Sequence, residues 1–303
     1  MNTDNPEFKS AFIALIGRPN SGKSTLLNRI IGEDLSIVTS LPQTTQRNMR
    51  GIYNEEGVQL IFVDTPGVHR GRHRLNKSMY EQATALVTDA GIDIICYLVD
   101  LSRPFGREED EIAGQLAGAK TAVCVIFNKR DMCEESTSVV KDFYGRYPAL
   151  KKYPSIEISA LSAQAKGQFL EMIGPFVPQG PKYFPDDDLS DLNMRFFAAE
   201  YIRKQVIELT KEEVPHASCV EIIDYREKTS KHAIEAVIHV ETVGQKGIVI
   251  GKKGSLINKI RTRAQKELEH LAGMPVKITC HVKVTPRWRD NEGFLSSMGL
   301  VLK

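Results

Sequence analysis

Residues 17–25, GRPNSGKST, follow a short apolar run and fit the pattern G-x-x-x-x-G-K-[ST]. Gly17 and Gly22 let the backbone turn so that its N–H groups face a polyphosphate. Lys23 supplies a cation for the outer phosphates, and the Ser24 hydroxyl can ligate Mg²⁺. Asn20, Ser21 and Thr25 complete the stretch, and a helix predicted to begin near Lys23 adds the positive end of its dipole. Downstream, FVDTPG closes the apolar run 58–63. Asp64 therefore stands at a strand end, where a carboxylate can hold Mg²⁺ through its water shell, with Thr65 beside it and the Gly67 N–H available to sense a γ-phosphate. VIFNKRD sets Asn128, Lys129 and Asp131 at the end of another apolar run. A carboxylate accepts both hydrogen bonds from the N1–H and 2-amino edge of guanine, whereas adenine offers no such pair. Asp131 thus selects GTP over ATP, because a buried acceptor left without donors is costly.

The elements that must position these residues are legible as alternating patterns. The runs AFIALIG, VQLIFVD, IDIICYLVD, TAVCVIFN and SIEISA are nearly continuous in apolar residues and are separated by amphipathic stretches. That alternation predicts a mostly parallel sheet covered on both faces, an α/β fold of the P-loop NTPase type with its ligand loops at the strands' C-terminal ends. A proline-rich segment with an acidic cluster, PFVPQGPKYFPDDDLSDLN, spans 175–193 and reads as a structured linker. The predicted organisation is a nucleotide domain over 1–178, a linker over 179–192 and a second domain over 193–303, whose helix, strand, strand, helix, helix, strand order is α+β.

A second glycine-lysine stretch, GIVIGKKGSLINKIR, lies at 247–261. It is not a second nucleotide loop: Gly247 to Gly251 is one residue short, Lys253 stands where Ser or Thr would ligate a metal, and a helical run precedes it. VIGKKG fits instead the I-G-x-x-G signature of a KH domain, whose turn joins two helices and lets a nucleic-acid backbone approach closely. The element order corresponds to the type II KH arrangement. Gly251 and Gly254 permit the approach, Lys252 and Lys253 supply charge, and Lys259, Arg261, Arg263 and Lys266 follow on the next helix. Ile248, Ile250 and Ile257 are candidates for an apolar base groove, with core packing as the alternative. Trp288, between Arg287 and Arg289, is either a stacking platform or a cap on the domain core.

Charge supports the division. Of 303 residues with a net charge of +2, residues 1–188 carry 21 basic and 24 acidic side chains, while 189–303 carry 19 and 14. Residues 246–266 hold seven lysines and arginines and no acid, a field that attracts polyanions. The five cysteines form no CxxC pair and fit core positions in a reducing compartment. No apolar run reaches the roughly 18–20 residues of a membrane span, and the polar N-terminus is no signal peptide. A cytoplasmic protein is expected. His69 and His73 in HRGRH have i,i+4 spacing but fall in a loop, which argues against a zinc site, and Arg70, Arg72 and Arg74 are read as solvated or partner-facing.

Taken in order, these motifs resemble the TRAFAC class of GTPases with a Ras-like G domain. Ser159, Ala160 and Leu161 of ISAL resemble the loop that supports guanine from its other face. PQTTQR lies where that class carries a switch-I threonine. It offers Thr44 and Thr45, and similarity to TTR segments favours Thr45 as a Mg²⁺ ligand. Position 68 is Val, where Ras-like switches carry a water-orienting Gln. In GTPases with such a hydrophobic substitution, an Asn at the place of Asn20 can help hold K⁺. Slow intrinsic hydrolysis is implied, below roughly 10⁻² s⁻¹. The combination of GRPNSGKST, DTPGVH, NKRD, YFPDDDLSD and VIGKKG is similar to the Era-like family of bacterial GTPases over nearly the whole chain. That resemblance implies a monomeric ribosome-assembly factor that cycles between GTP and GDP. It further implies binding to the 3′ end of 16S rRNA in the 30S subunit through the KH domain, and peripheral association with the inner membrane. Ser21 in place of the more usual Val, and TTQR in place of TTRH, are minor departures. A tRNA-modification or translation GTPase and a non-enzymatic KH protein are the alternatives. The first needs a different companion domain, and the second needs no intact NKxD.

Overall fold

The computed structural model describes residues 8–39, 41, 45–68 and 73–301. The chain divides into two compact units whose main boundary falls between Asp191 and Leu192; residues 37–39, 41 and 73–75 are grouped with the second.

In the first unit a six-stranded sheet has the order β2-β3-β1-β4-β5-β6. Its strands are β1 (Lys9–Gly17), β2 (Met49–Glu55), β3 (Val58–Asp64), β4 (Ile94–Asp100), β5 (Ala122–Asn128) and β6 (Ser155–Glu157). All neighbours run parallel except β2, which pairs antiparallel with β3 from Met49↔Asp64 to Glu55↔Val58. The central strands are buried on both faces, which is why β1, β3, β4 and β5 read as apolar runs. β2 has no such signature, because MRGIYNE is an edge strand with polar residues along it. The crossover helices are α1 (Lys23–Ile31), α2 (Arg74–Ala85), α3 (Arg107–Leu116), α4 (Ser136–Arg146) and α5 (Ala165–Ile173). Phe143 of α4 is fully buried and meets Tyr97, Phe105, Phe127 and Tyr147 edge-on or tilted, at ring separations of 5.0–6.2 Å.

The proline-rich segment is strapped along the open flank of this sheet. Gln59 of β3 accepts the N–H groups of Tyr183 and Phe184 at 2.8 and 3.0 Å and donates to the Phe184 carbonyl at 2.9 Å. The Ile52 N–H of β2 donates to the Leu189 carbonyl at 2.9 Å, and Arg50 pairs with Asp191 at 3.0 Å.

The second unit carries α6 (Met194–Leu209), β7 (Cys219–Lys228), β8 (Lys231–Val240), α7 (Val243–Ile250), α8 (Ser255–Ala272), β9 (Val276–Val284) and α9 (Glu292–Ser297). Its three-stranded sheet has the order β7-β8-β9, with β7–β8 antiparallel and β8–β9 parallel. α6 packs on α8 and β7, and α8 on β9. The buried stripe Ile260, Ala264, Leu268 turns α8 toward the core and leaves its basic residues outside. Trp288 belongs to this core: it is fully buried, its indole N–H donates to the Ala217 carbonyl at 2.9 Å, and it meets Phe294. Of the two readings open from the sequence the core one holds, since a ring without an exposed face cannot receive a base. Cys96, Cys124 and Cys219 are buried. Among the described residues no helix is long and apolar enough to cross a membrane, and no cluster of His, Cys, Asp and Glu could hold a metal ion. His69, Arg70 and Arg72 lie outside the described residues, as does Thr44.

Candidate nucleotide site and nucleic-acid surface

β1 delivers Gly17 at its C-terminal end and the chain turns through Asn20, whose φ is 61°, into α1. Lys23 opens α1 and is 5% exposed. Its Nζ donates to the carbonyls of Gly17 and Arg18 at 3.2 and 3.0 Å, so the loop closes around it. Burial pushes its ammonium down to about 8, against the attraction of Asp64 and with the repulsion of Arg103. Gly67 packs against the same loop, where an added Cβ would sit 2.4 Å from the Pro19 nitrogen, and glycine is required by that approach. Val68 is buried and its N–H donates to the Gly17 carbonyl at 3.1 Å, so its side chain faces the core.

Three hydroxyls converge on Asp64, which has no solvent exposure. Oδ2 accepts Ser24 at 2.7 Å, Ser36 at 2.7 Å and Thr45 at 3.5 Å, and Ser24 and Thr45 lie 3.2 Å apart. Burial raises the Asp64 carboxyl, with Lys23 and the hydroxyls opposing. Oδ1 is buried with no hydrogen-bond partner among the described residues. A buried carboxylate oxygen beside two hydroxyl oxygens is a donor set for a hard cation such as Mg²⁺, and the residues fit it. Thr65, by contrast, donates its hydroxyl to the Leu15 carbonyl at 2.8 Å and is fully buried, which leaves its backbone alone for a nucleotide contact. Ser36 belongs to no sequence motif. It is locked by Asn28, whose Nδ2 donates to the Ser36 carbonyl at 2.7 Å and whose Oδ1 accepts the Ser36 N–H at 2.9 Å.

The residues expected from the sequence to recognise the base lie at the ends of β5 and β6. Asn128 is buried and bridges two loops, donating to the Ser21 carbonyl at 2.8 Å and accepting the Ala160 N–H at 2.9 Å. Asp131 is exposed. Lys129 Nζ rests on Asp100 at 2.8 Å. Ser159 is half-buried, Ala160 buried and Leu161 exposed. Arg29 of α1, another residue the sequence does not mark, donates to the Leu161 carbonyl at 2.8 Å and holds that loop. Thr25 is half-buried on α1.

In the second unit, Thr242 caps α7 in a capping box: its hydroxyl accepts the Gln245 N–H at 3.2 Å, and Gln245 accepts the Thr242 N–H at 3.1 Å. The cap aims α7 into the turn. There Gly251 has φ 71°, and a Cβ on it would meet Leu256 at 2.8 Å. Gly254 closes the turn on the Gly251 carbonyl at 3.1 Å. Lys252, Lys253, Lys259 and Arg263 are exposed, Arg261 and Ile250 half-buried. Ile248 is exposed beside them, Ile257 is half-buried, and Val249 alone of this apolar run points into the core.

Strand order, a phosphate loop wrapped on Lys23 and a base pocket braced by Asn128 make the first unit a P-loop GTPase, and the glycine-lysine turn between two helices makes the second a KH domain. Residues 12–129 match the family described as 50S ribosome-binding GTPase, and residues 213–289 match the KH domain family. The chain is 41% identical to GTPase Era of Geobacter metallireducens over 98% of its own length and 99% of that protein's, and 38% identical to GTPase Era of Geotalea daltonii over 97% and 98%. It therefore belongs to the Era family of GTPases. Among solved structures, Aquifex aeolicus Era bound to GDP·AlF4⁻ superposes with a TM-score of 0.90 at 32% identity, covering 97% of this chain and 100% of that one. An Era complex with MgGDPNP and nucleotides 1506–1542 of 16S ribosomal RNA superposes at 0.91 and 31%, with the same coverage.

Proposed function

We propose that this GTPase acts in maturation of the 30S subunit, binding the 3′ end of 16S rRNA through its KH domain and coupling that contact to a GTP/GDP switch. The observation that carries this reading is the full-length likeness to an Era structure that holds MgGDPNP and a 16S rRNA fragment together. The domain order is a GTPase unit, the strapped linker and a KH unit.

Lys23 presents its ammonium to the outer phosphates, the Gly67 N–H meets the γ-phosphate, and Asp131 takes the guanine edge. Ser24, Thr45 and Asp64 would hold Mg²⁺, which when bound neutralises charge on the β- and γ-phosphate oxygens. Because Val68 faces the core, no side chain there orients the attacking water, and Asn20 is the candidate to hold a K⁺ beside the phosphates. RNA that favours the GTP form is reciprocally favoured by GTP. The exposed lysines of the GKKG turn meet the RNA backbone, with Ile250 at the edge of a base groove. A monomeric, cytoplasmic protein with peripheral contact to the inner membrane completes the proposal.

The test is crosslinking in cells with the native chain and with Asp131→Asn. Reads concentrated at the 3′ end of 16S rRNA, with the variant exchanging GTP preference for XTP, are the expected result. Crosslinks confined to messenger or transfer RNA overturn the ribosomal assignment.

A further inference from the structure

The phosphate loop is gripped from outside by residues 100–109, a segment between β4 and α3 that carries no nucleotide motif. Arg18 Nη1 donates to the Pro104 carbonyl and to Glu109 Oε1, both at 3.0 Å. Glu109 is 2% exposed and also accepts the Gly106 N–H at 2.7 Å, which fixes the start of α3. In the opposite direction, Arg103 Nη2 donates to the Pro19 carbonyl at 2.6 Å. Two arginines thus cross, each bound to a carbonyl of the other's loop.

Arg103 is in turn fixed by Asp100, whose Oδ2 lies 2.9 Å from Arg103 Nε and accepts Lys129 Nζ at 2.8 Å. Oδ1 accepts the Ser102 N–H and hydroxyl at 3.0 and 2.6 Å. The carboxylate is 2% exposed and ends β4 in register with Asn128. Burial would raise this acid, yet the bonds from Lys129 and Ser102 outweigh it and hold it below its ordinary value. One ionised, buried carboxylate therefore connects the lysine of the base-recognition motif to the arginine that grips the phosphate loop. If Lys129 leaves for a bound base, Arg103 becomes the one cation left on Oδ2 of Asp100, with Ser102 still bonded to Oδ1. If the carboxylate is removed, two cations face each other and Arg103 is driven from the loop.

We infer that Asp100 and Arg103 are positioning residues that couple occupancy of the guanine pocket to the shape of the phosphate loop without touching the nucleotide. This rests on the reading of the first unit as a guanine-nucleotide site.

The experiment is a double-mutant cycle on the full chain, with Arg103→Ala, Lys129→Ala and their combination, read by the dissociation rate of a fluorescent GDP. Arg103→Ala is expected to speed dissociation about tenfold. The two substitutions should be non-additive by at least about fivefold, as for residues that share one ion-paired carboxylate. Arg103→Lys, which keeps an ion pair with Asp100 but loses the second nitrogen that reaches Pro19, serves where the alanine variant unfolds and is expected to speed release at least about fivefold. Additive effects, or an Arg103→Lys variant that releases GDP at the native rate, overturn the coupling. A native chain that binds no guanine nucleotide would instead overturn the underlying site, so the two failures are distinct.

Discussion

The Ser36 hydroxyl donates to Oδ2 of Asp64 at 2.7 Å from a segment that carries none of the nucleotide motifs. Ser36 is 4% exposed and clamped on both backbone groups by Asn28. It therefore holds the same carboxylate oxygen that accepts Ser24. Removing such a supporting bond commonly costs 10- to 100-fold in metal affinity. Ser36→Ala is expected to raise the Mg²⁺ concentration that half-maximally slows GDP release by roughly 10-fold, while GDP release in excess EDTA stays at the native rate. A titration of release rate against Mg²⁺ checks both halves.

Lys23 makes nucleotide binding pH-dependent. With burial holding it at about 8 against 10.5 for an unburied lysine, the unliganded side chain is mostly neutral at pH 9 and mostly charged at pH 7. The depressed value disfavours the folded, empty protein as pH falls from 10.5 to 8, since the unfolded chain binds the extra proton there. A polyphosphate restores the charge. GDP binding should then take up about 0.9 proton at pH 9 and about 0.1 at pH 7, measured by calorimetry in buffers of different ionisation enthalpy. Uptake that is flat across this range would mean that Lys23 is already charged in the empty site.

Trp288 is the one tryptophan of the chain, so its fluorescence reports on its own surroundings. Full burial predicts blue-shifted emission that acrylamide and added RNA oligonucleotide leave unquenched. Trp288→Ala is expected to destabilise the second unit by about 3–5 kcal/mol, with the Ala217 carbonyl left without its donor. Denaturant melts of the full chain, followed by circular dichroism, give the loss.

Lys252 and Lys253 lie on the exposed turn, remote in sequence from every nucleotide motif. Replacing both with Gln should weaken RNA binding and lower the slope of log K against log salt by about 1.4, or about 0.7 for each single-strand phosphate that is no longer neutralised. GTP affinity should not change. A parallel fall in GTP affinity would contradict the division of labour between the two units.

The sequence and the structure part company where partners are far apart along the chain. Lys23, Asp64 and Asn128 announce themselves because each needs a fixed residue type at a fixed distance from a strand end. The GKKG turn does so because its glycines have local conformational work, as Gly251 at φ 71° illustrates. Ser36, Arg29 and Arg103 act through bonds to residues 28, 132 and 84 positions away. No local pattern encodes such pairings. β2 escapes notice because an edge strand has no need of a continuous apolar run. Trp288 stays open between two readings in the sequence, since flanking charge says nothing about the direction a ring takes.

The strap along β2 bears on how this protein can be divided without harm. A chain ending at residue 178 would strip the Leu189 carbonyl from Ile52 and leave Gln59 without Tyr183 and Phe184. The flank of β2 would then be a row of open backbone groups, the kind of surface on which separate molecules pair edge to edge and precipitate. Residues 179–191 cover that edge, and a fragment that keeps them is expected to stay dispersed at high concentration, as light scattering would show.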